Sequence, residues 1–183
     1  MSTTAEQTTS ISTGTWSLDP IHSAVGFAVT YSGAGTVRGG FKEFDAKLVD
    51  GKLEGSAKVA SVSFDEEQLV GHLLSPDFFD AERFPELRFV SKTIERNGDN
   101  VTIDGELTLR GVTKPVTITG TIVGPTPDAG VSGPIQRLAL DIETTIDRRE
   151  FGIEWNRDLP SGDPALSNDV KLTANLALVQ AER

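Results

Sequence analysis

The sequence predicts an all-β protein, an antiparallel barrel of about eight strands carrying one or two short helices. Three observations predict it. Apolar residues recur with period two along most of the chain, the mark of strands with one buried face. Turn signals punctuate those runs at Gly33-Ala34-Gly35, Asp50-Gly51, Asn97-Gly98-Asp99, Arg110-Gly111 and Gly124-Pro125. Glycines fall inside the strand patterns, at Gly39, Gly40, Gly55, Gly105 and Gly120, where a sheet bends. A closed barrel is favoured over a two-layer sandwich because closure removes edge strands.

The elements follow in order. Residues 1–14 are rich in Ser and Thr and nearly free of apolar side chains, and are expected to be a disordered tail. Residues 15–183 form the one domain. Val25, Phe27, Val29 and Tyr31 alternate as the first clear strand. Residues 65–74 break the period: Asp65 and Gln68 have the spacing of a capping box, and Leu69, His72 and Leu73 share one helical face. Val101, Ile103, Leu107 and Leu109 resume the alternation, with Gly105 in the empty slot. Val116, Ile118 and Ile122 repeat it around Gly120. Residues 125–135 read as a surface loop rich in Pro and Gly. Leu138, Leu140, Ile142 and Ile146 form the next strand, and Val170, Leu172, Leu176 and Leu178 the last.

Composition excludes several function classes. The net charge is -10, from 27 acidic and 17 basic residues, which opposes binding to nucleic acid. With no cysteine, the chain has no thiolate chemistry and no disulfide. No apolar run approaches the ~20 residues that span a bilayer as a helix, so a transmembrane protein is not expected. The first residues lack the basic and apolar regions of a secretory signal, and a cytoplasmic location is expected.

Side chains that carry chemistry are few. The chain has two histidines, His22 and His72. Ser23 adjoins His22, but strand neighbours point to opposite faces and cannot form a nucleophile–base pair. Two histidines and a carboxylate suit zinc or iron, yet no metal-binding spacing such as HxH or HExxH occurs, and no metal is expected. Arg148 to Glu150 reads either as an ion-pair cluster or as an anion clamp. What remains is the interior face: Val25, Phe27, Val29, Phe89, Val101, Ile103, Leu107, Val116, Ile118, Leu140, Ile142 and Leu172. Periodicity alone leaves open whether these fill the bore or line it.

Five ordered segments bear on that choice. "WSLDPIHSAVGFAVTY" with "GTVRGGFKEFDAKL", then "GHLLSPDFFDAERFPELRFVS", "GELTLRGVTKPVTI", "IDRREFGI" and "LSNDVKLTANLAL" resemble the successive blocks of the YceI-like family. The resemblance implies a lipocalin-like barrel whose interior residues line a tunnel. It implies non-enzymatic binding, transport or storage of a long-chain lipid: a polyisoprenoid such as a quinone tail or prenyl phosphate, or a fatty acid or its amide. It implies no cofactor other than the bound lipid. Asp19, His22, His72 and Arg148 are then expected to form a polar cluster near the helix that caps the tunnel. Val70 and Gly71 stand where the family usually carries a charged pair. Two alternatives stand beside this reading: an enzyme using His22 or His72 as acid and base, and a stress-response protein with a filled core. Long strands and an apolar mouth are compatible with a homodimer.

Overall fold

Eleven strands hydrogen-bond into one antiparallel sheet that closes on itself in the computed structural model, which describes Ile11 and residues 13–181. The strands are β1 (Thr15–Leu18), β2 (Ala24–Tyr31), β3 (Gly35–Phe41), β4 (Phe44–Val49), β5 (Lys52–Lys58), β6 (Val62–Phe64), β7 (Glu86–Asn97), β8 (Asn100–Leu109), β9 (Val112–Asp128), β10 (Ile135–Asp147) and β11 (Leu166–Ala181). One helix, α1 (Glu67–Leu74), lies between β6 and β7. The order β1-β4-β5-β7-β8-β9-β10-β11 is closed by a β1–β11 ladder, giving an 8-strand barrel.

The other three strands are continuations. β1 pairs with β11 at Leu178 and Val179, and β2 pairs with the same edge from Asn175 to Leu166. Thus β1 and β2 are two parts of one long stave, broken by the 3-10 turn Pro20–His22. β4 and β3 pair with them in turn, and β5 and β6 with those. At the upper end no ladder joins β6 to β7 among the described residues. The segment from 65 to 85, with α1, fills that position. Val70, Leu73, Leu74 and Phe79 pack there against buried Phe41, Ala57 and Val62.

Helix α1 begins later than the spacing predicts. Glu66 occupies the N-cap and no side chain caps the helix, so the Asp65–Gln68 capping box does not form. β9 also runs on through Pro125 to Asp128, with Pro127 opposite Gln136, so only residues 129–134 remain of the expected 125–135 loop.

The lower half of the barrel is solid. Trp16, Leu48, Leu53, Val101, Ile103, Ile122, Leu138, Leu140 and Leu178 form its core, each almost wholly withdrawn from water. Burial of one such side chain contributes about 1.5–3 kcal/mol. Val101, Ile103 and Leu140, read from the sequence as tunnel lining, are therefore part of a floor. The bore of an eight-strand barrel is narrow enough for side chains to fill it, and here Trp16 and leucines from facing strands do so. Ile11 joins this core, although it lies in the segment read as a tail; residues 1–10 and 12 fall outside the described residues.

Candidate functional site

Above that floor the barrel encloses a cavity of ≈ 850 Å³. Its walls come from alternate positions of the long strands. Val25, Phe27 and Val29 of β2 stand beside Ala174, Leu172 and Val170 of β11, their direct cross-strand partners. Phe89 of β7, Leu107 of β8, Val116 and Ile118 of β9 and Ile142 of β10 complete the ring. The wall is overwhelmingly apolar, which suits it to solvating hydrocarbon.

Glycines shape this wall. Gly39 lies opposite Phe27, and a Cβ on it would sit 2.5 Å from the Cζ of Phe27. The missing side chain lets the ring lie against the sheet rather than across the bore. Gly105 does the same for Phe89, with a Cβ-to-Cζ separation of 2.6 Å. Phe27, Phe41 and Phe79 then form a triad with ring centroids 5.7–6.0 Å apart.

The roof is α1 and the segment after it. Leu69, His72 and Leu73 face the cavity, as the helical spacing predicts. His72 donates from Nε2 to Asp77 Oδ2 at 3.0 Å. Its ring meets Phe78 and Trp155 edge-on, at centroid distances of 4.9 and 4.6 Å. Arg110 straps the roof to the β10–β11 connection, donating from Nη2 to Pro76 O at 2.7 Å and from Nη1 to Gly152 O. Phe78, Phe79 and Trp155 escape sequence reasoning because they sit in irregular segments, where no periodicity marks an inward face.

The four polar residues expected in one cluster occupy two places. Asp19 and His22 are on the outer wall of the lower half, not in the cavity. His22 Nδ1 and Asp19 Oδ2 are 2.8 Å apart, and Arg137 Nη1 donates to the same oxygen at 2.8 Å. Arg137 also binds Asp128 at 3.0 Å. Arg137 and His22 together hold the Asp19 carboxyl down at about 2. Leu138 points inward, so strand alternation directs Arg137 outward. Ser23 Oγ donates to Asp19 O at 2.6 Å and accepts from Ala177 N at 2.9 Å; it joins strands.

His72 and Arg148 belong to the cavity wall. Arg148 opens the 3-10 turn Arg148–Phe151 and is 4% exposed. It donates from Nε to Ser167 O at 3.0 Å, and from Nη1 to Ile153 O at 3.0 Å and Trp155 O at 2.8 Å. Its Nη2 has no hydrogen-bond partner among the described residues. Burial pushes the guanidinium below the usual arginine range, while the charge of Asp147 opposes that shift. Tyr31, Arg38, Asp65, Glu66 and Arg157 add polar atoms near the mouth, where Arg157 donates to Tyr31 Oη.

Among the described residues no three His, Asp or Glu side chains converge as a metal site, and no helix is long and apolar enough to cross a membrane.

The model of the YceI-like domain matches residues 16–178. A UPF0312 protein of Photorhabdus laumondii is 32% identical over 110 residues, 56% of this chain and 57% of that one. A UPF0312 protein of Pseudomonas fluorescens is 34% identical over 144 residues, 72% of this chain and 71% of its own. Among solved structures, BcnA of Burkholderia cenocepacia superposes with a TM-score of 0.72 at 22% identity, covering 90% of this chain and 99% of BcnA. A polyisoprenoid binding domain from Saccharophagus degradans superposes with a TM-score of 0.66 at 14% identity, covering 89% and 97%.

Proposed function

The chain belongs to the YceI-like family, and from that premise we propose that it is a non-enzymatic carrier or store for one long-chain lipid, a polyisoprenoid or a fatty acyl chain. The observation that carries this reading is the roofed apolar cavity of ≈ 850 Å³ above a solid floor. The Saccharophagus domain, described as polyisoprenoid-binding, shares the fold and supports the ligand class. Burial gains ~0.8 kcal/mol per CH₂, so a chain of about 15 carbons gains on the order of 12 kcal/mol. Association costs of about 4 kcal/mol or more reduce this to roughly 8 kcal/mol, a micromolar dissociation constant. No charge pairing is needed to reach that affinity, and no cofactor takes part.

Neither alternative has an observation in its favour. The interior is not filled, and the two histidines lie in separate parts of the molecule. Native mass spectrometry of the purified protein, followed by organic extraction, tests the proposal. The expected result is an adduct that extracts as a long-chain lipid. Protein that carries no adduct and, after delipidation, takes up neither a fatty acid nor a prenyl alcohol would overturn it.

A further inference from the structure

We propose that the floor of the cavity is a length stop. The site takes a chain about as long as one membrane acyl chain, and an octaprenyl or longer polyisoprenoid does not fit it. The inference rests on the lipid-carrier reading and narrows it from any long-chain lipid to one of limited length.

Two adjacent rows of side chains form the stop. The last row to touch the cavity is Val25, Ala174 and Ile142, cross-strand partners on β2, β11 and β10. One inward step lower, about 7 Å along each strand, stands the row Leu176, Leu140 and Ile122. The other half of the barrel supplies a second such row, Trp16, Leu48 and Leu53, partners on β1, β4 and β5. The two lower rows merge into one core, and each of their side chains is 6% exposed or less. Among the described residues, none of these six lines the cavity. The turn Pro20–His22 makes the boundary abrupt. It breaks the long stave, so that Val25 ends the cavity wall above it while Trp16 enters the core below it.

The open part of the bore is correspondingly short. On β2 the cavity wall runs from Val25 to Tyr31, six residues further along the strand. At ~3.3 Å per residue and a tilt of about 40°, that is a depth of roughly 15 Å. The hydrocarbon core of a bilayer is about 30 Å thick and two acyl layers deep, so one acyl layer spans roughly the same 15 Å. The volume of ≈ 850 Å³ likewise falls in the range of sites for one small ligand, about 300–1,000 Å³. A hexadecanoyl, farnesyl or geranylgeranyl chain matches this depth. An octaprenyl chain is far longer. To go deeper it would have to displace side chains packed as densely as an organic crystal. Carbons that stay outside gain nothing from burial.

Ala174 sets the depth. Val170 and Leu172 precede it on the inward face of β11 and Leu176 and Leu178 follow it, so it alone is small. Its methyl borders the space where the tail ends.

The test measures affinity against chain length on delipidated full-length protein, by displacement of a fluorescent fatty acid. Saturated acids from decanoate to docosanoate form one series; farnesol, geranylgeraniol and octaprenol form the other. Up to the stop, each added methylene should raise affinity roughly threefold. Beyond octadecanoate the curve should flatten, and octaprenol should bind no tighter than geranylgeraniol. In Ala174→Leu the new side chain extends into the cavity, and hexadecanoate should lose on the order of tenfold more affinity than dodecanoate. Leu176→Ala should move the break to longer chains. That variant empties a packed position and can fail to fold, in which case Ala174→Leu decides. An affinity that climbs without a break to docosanoate, octaprenol binding tighter than geranylgeraniol, or a break that stays in place in Ala174→Leu or in folded Leu176→Ala overturns the length stop and leaves the carrier reading intact. If no member of either series binds, the carrier reading itself fails.

Discussion

The imidazole of His72 meets the indole of Trp155 edge to face, with centroids 4.6 Å apart and planes at 87°. This contact joins the roof helix to the connection between β10 and β11, two parts of the chain that share no backbone ladder. Asp77 fixes the imidazole from its other side at 3.0 Å. His72 thereby ties the roof helix to that connection. His72→Ala should cost about 0.5–1.5 kcal/mol of stability, the worth of an aromatic pair. It should also speed release of a bound fluorescent fatty acid, measured by stopped flow. An unchanged release rate would show that the helix opens without breaking this contact.

The same helix carries a built-in weakness. Gly71 has open space where a Cβ would stand, and no side chain caps the helix. Gly71→Ala should therefore stabilise α1 by roughly 0.5–1 kcal/mol. Thermal unfolding should shift upward and ligand release should slow. A faster release would mean that helix stability does not govern opening.

Gly39 and Phe27 make a different kind of prediction. Alanine at 39 has an ordinary strand backbone available but not the space, because its Cβ would meet Cζ of Phe27 at 2.5 Å. The ring has to swing toward the cavity. Overpacking of this kind costs about 1–3 kcal/mol. Lipid capacity should fall with it, and Phe27→Leu in the same chain should restore both. Urea unfolding and a lipid-loading assay on the two variants decide the point.

The sequence made the wall legible and the depth illegible. Alternation shows which residues of β2, β8, β9, β10 and β11 face inward, and those residues do face inward. It is silent on where along the barrel axis each one sits. Ile142 and Leu140 are two positions apart on one strand and both join the floor's core, yet only the first also touches the cavity. What separates them is the bulk of Trp16, Leu48 and Leu178 arriving from other strands, which periodicity does not encode. The four polar residues separate for a similar reason. Asp19 and His22 flank a break between β1 and β2 that faces outward, and their partner Arg137 lies 118 residues away in the chain.

That division of the bore can be measured. Ile103 is fully buried in the floor, and Ile103→Ala should cost about 2–5 kcal/mol. Ile118, its cross-strand partner, borders the cavity instead. Ile118→Ala should cost less, because one side of the residue already faces open space, and it should enlarge the site. Chemical denaturation gives the first comparison, and loading with lipids of increasing chain bulk gives the second. Equal stability losses would argue against a boundary between floor and cavity at this pair.

Strong acid should weaken the outer network around Asp19. Its carboxyl titrates at about 2 in the folded chain, against 3.8 for a free aspartate, because Arg137 and His22 both bind it. A depressed folded pKa means the charged form favours the native state. That contribution is complete above about pH 4 and is lost as the pH falls from there through 2. Arg137 also holds the Asp128 carboxyl down, so the two acids act in the same direction. The melting temperature of the wild type should therefore fall steeply between pH 4 and pH 2. Asp19→Asn removes the titrating group, and Arg137→Gln removes the main cause of its shift. Each variant should start lower at pH 7 and lose less over the same interval. Parallel curves for wild type and Asp19→Asn would show that the ion pairs at this corner leave the acid stability of the barrel unaffected.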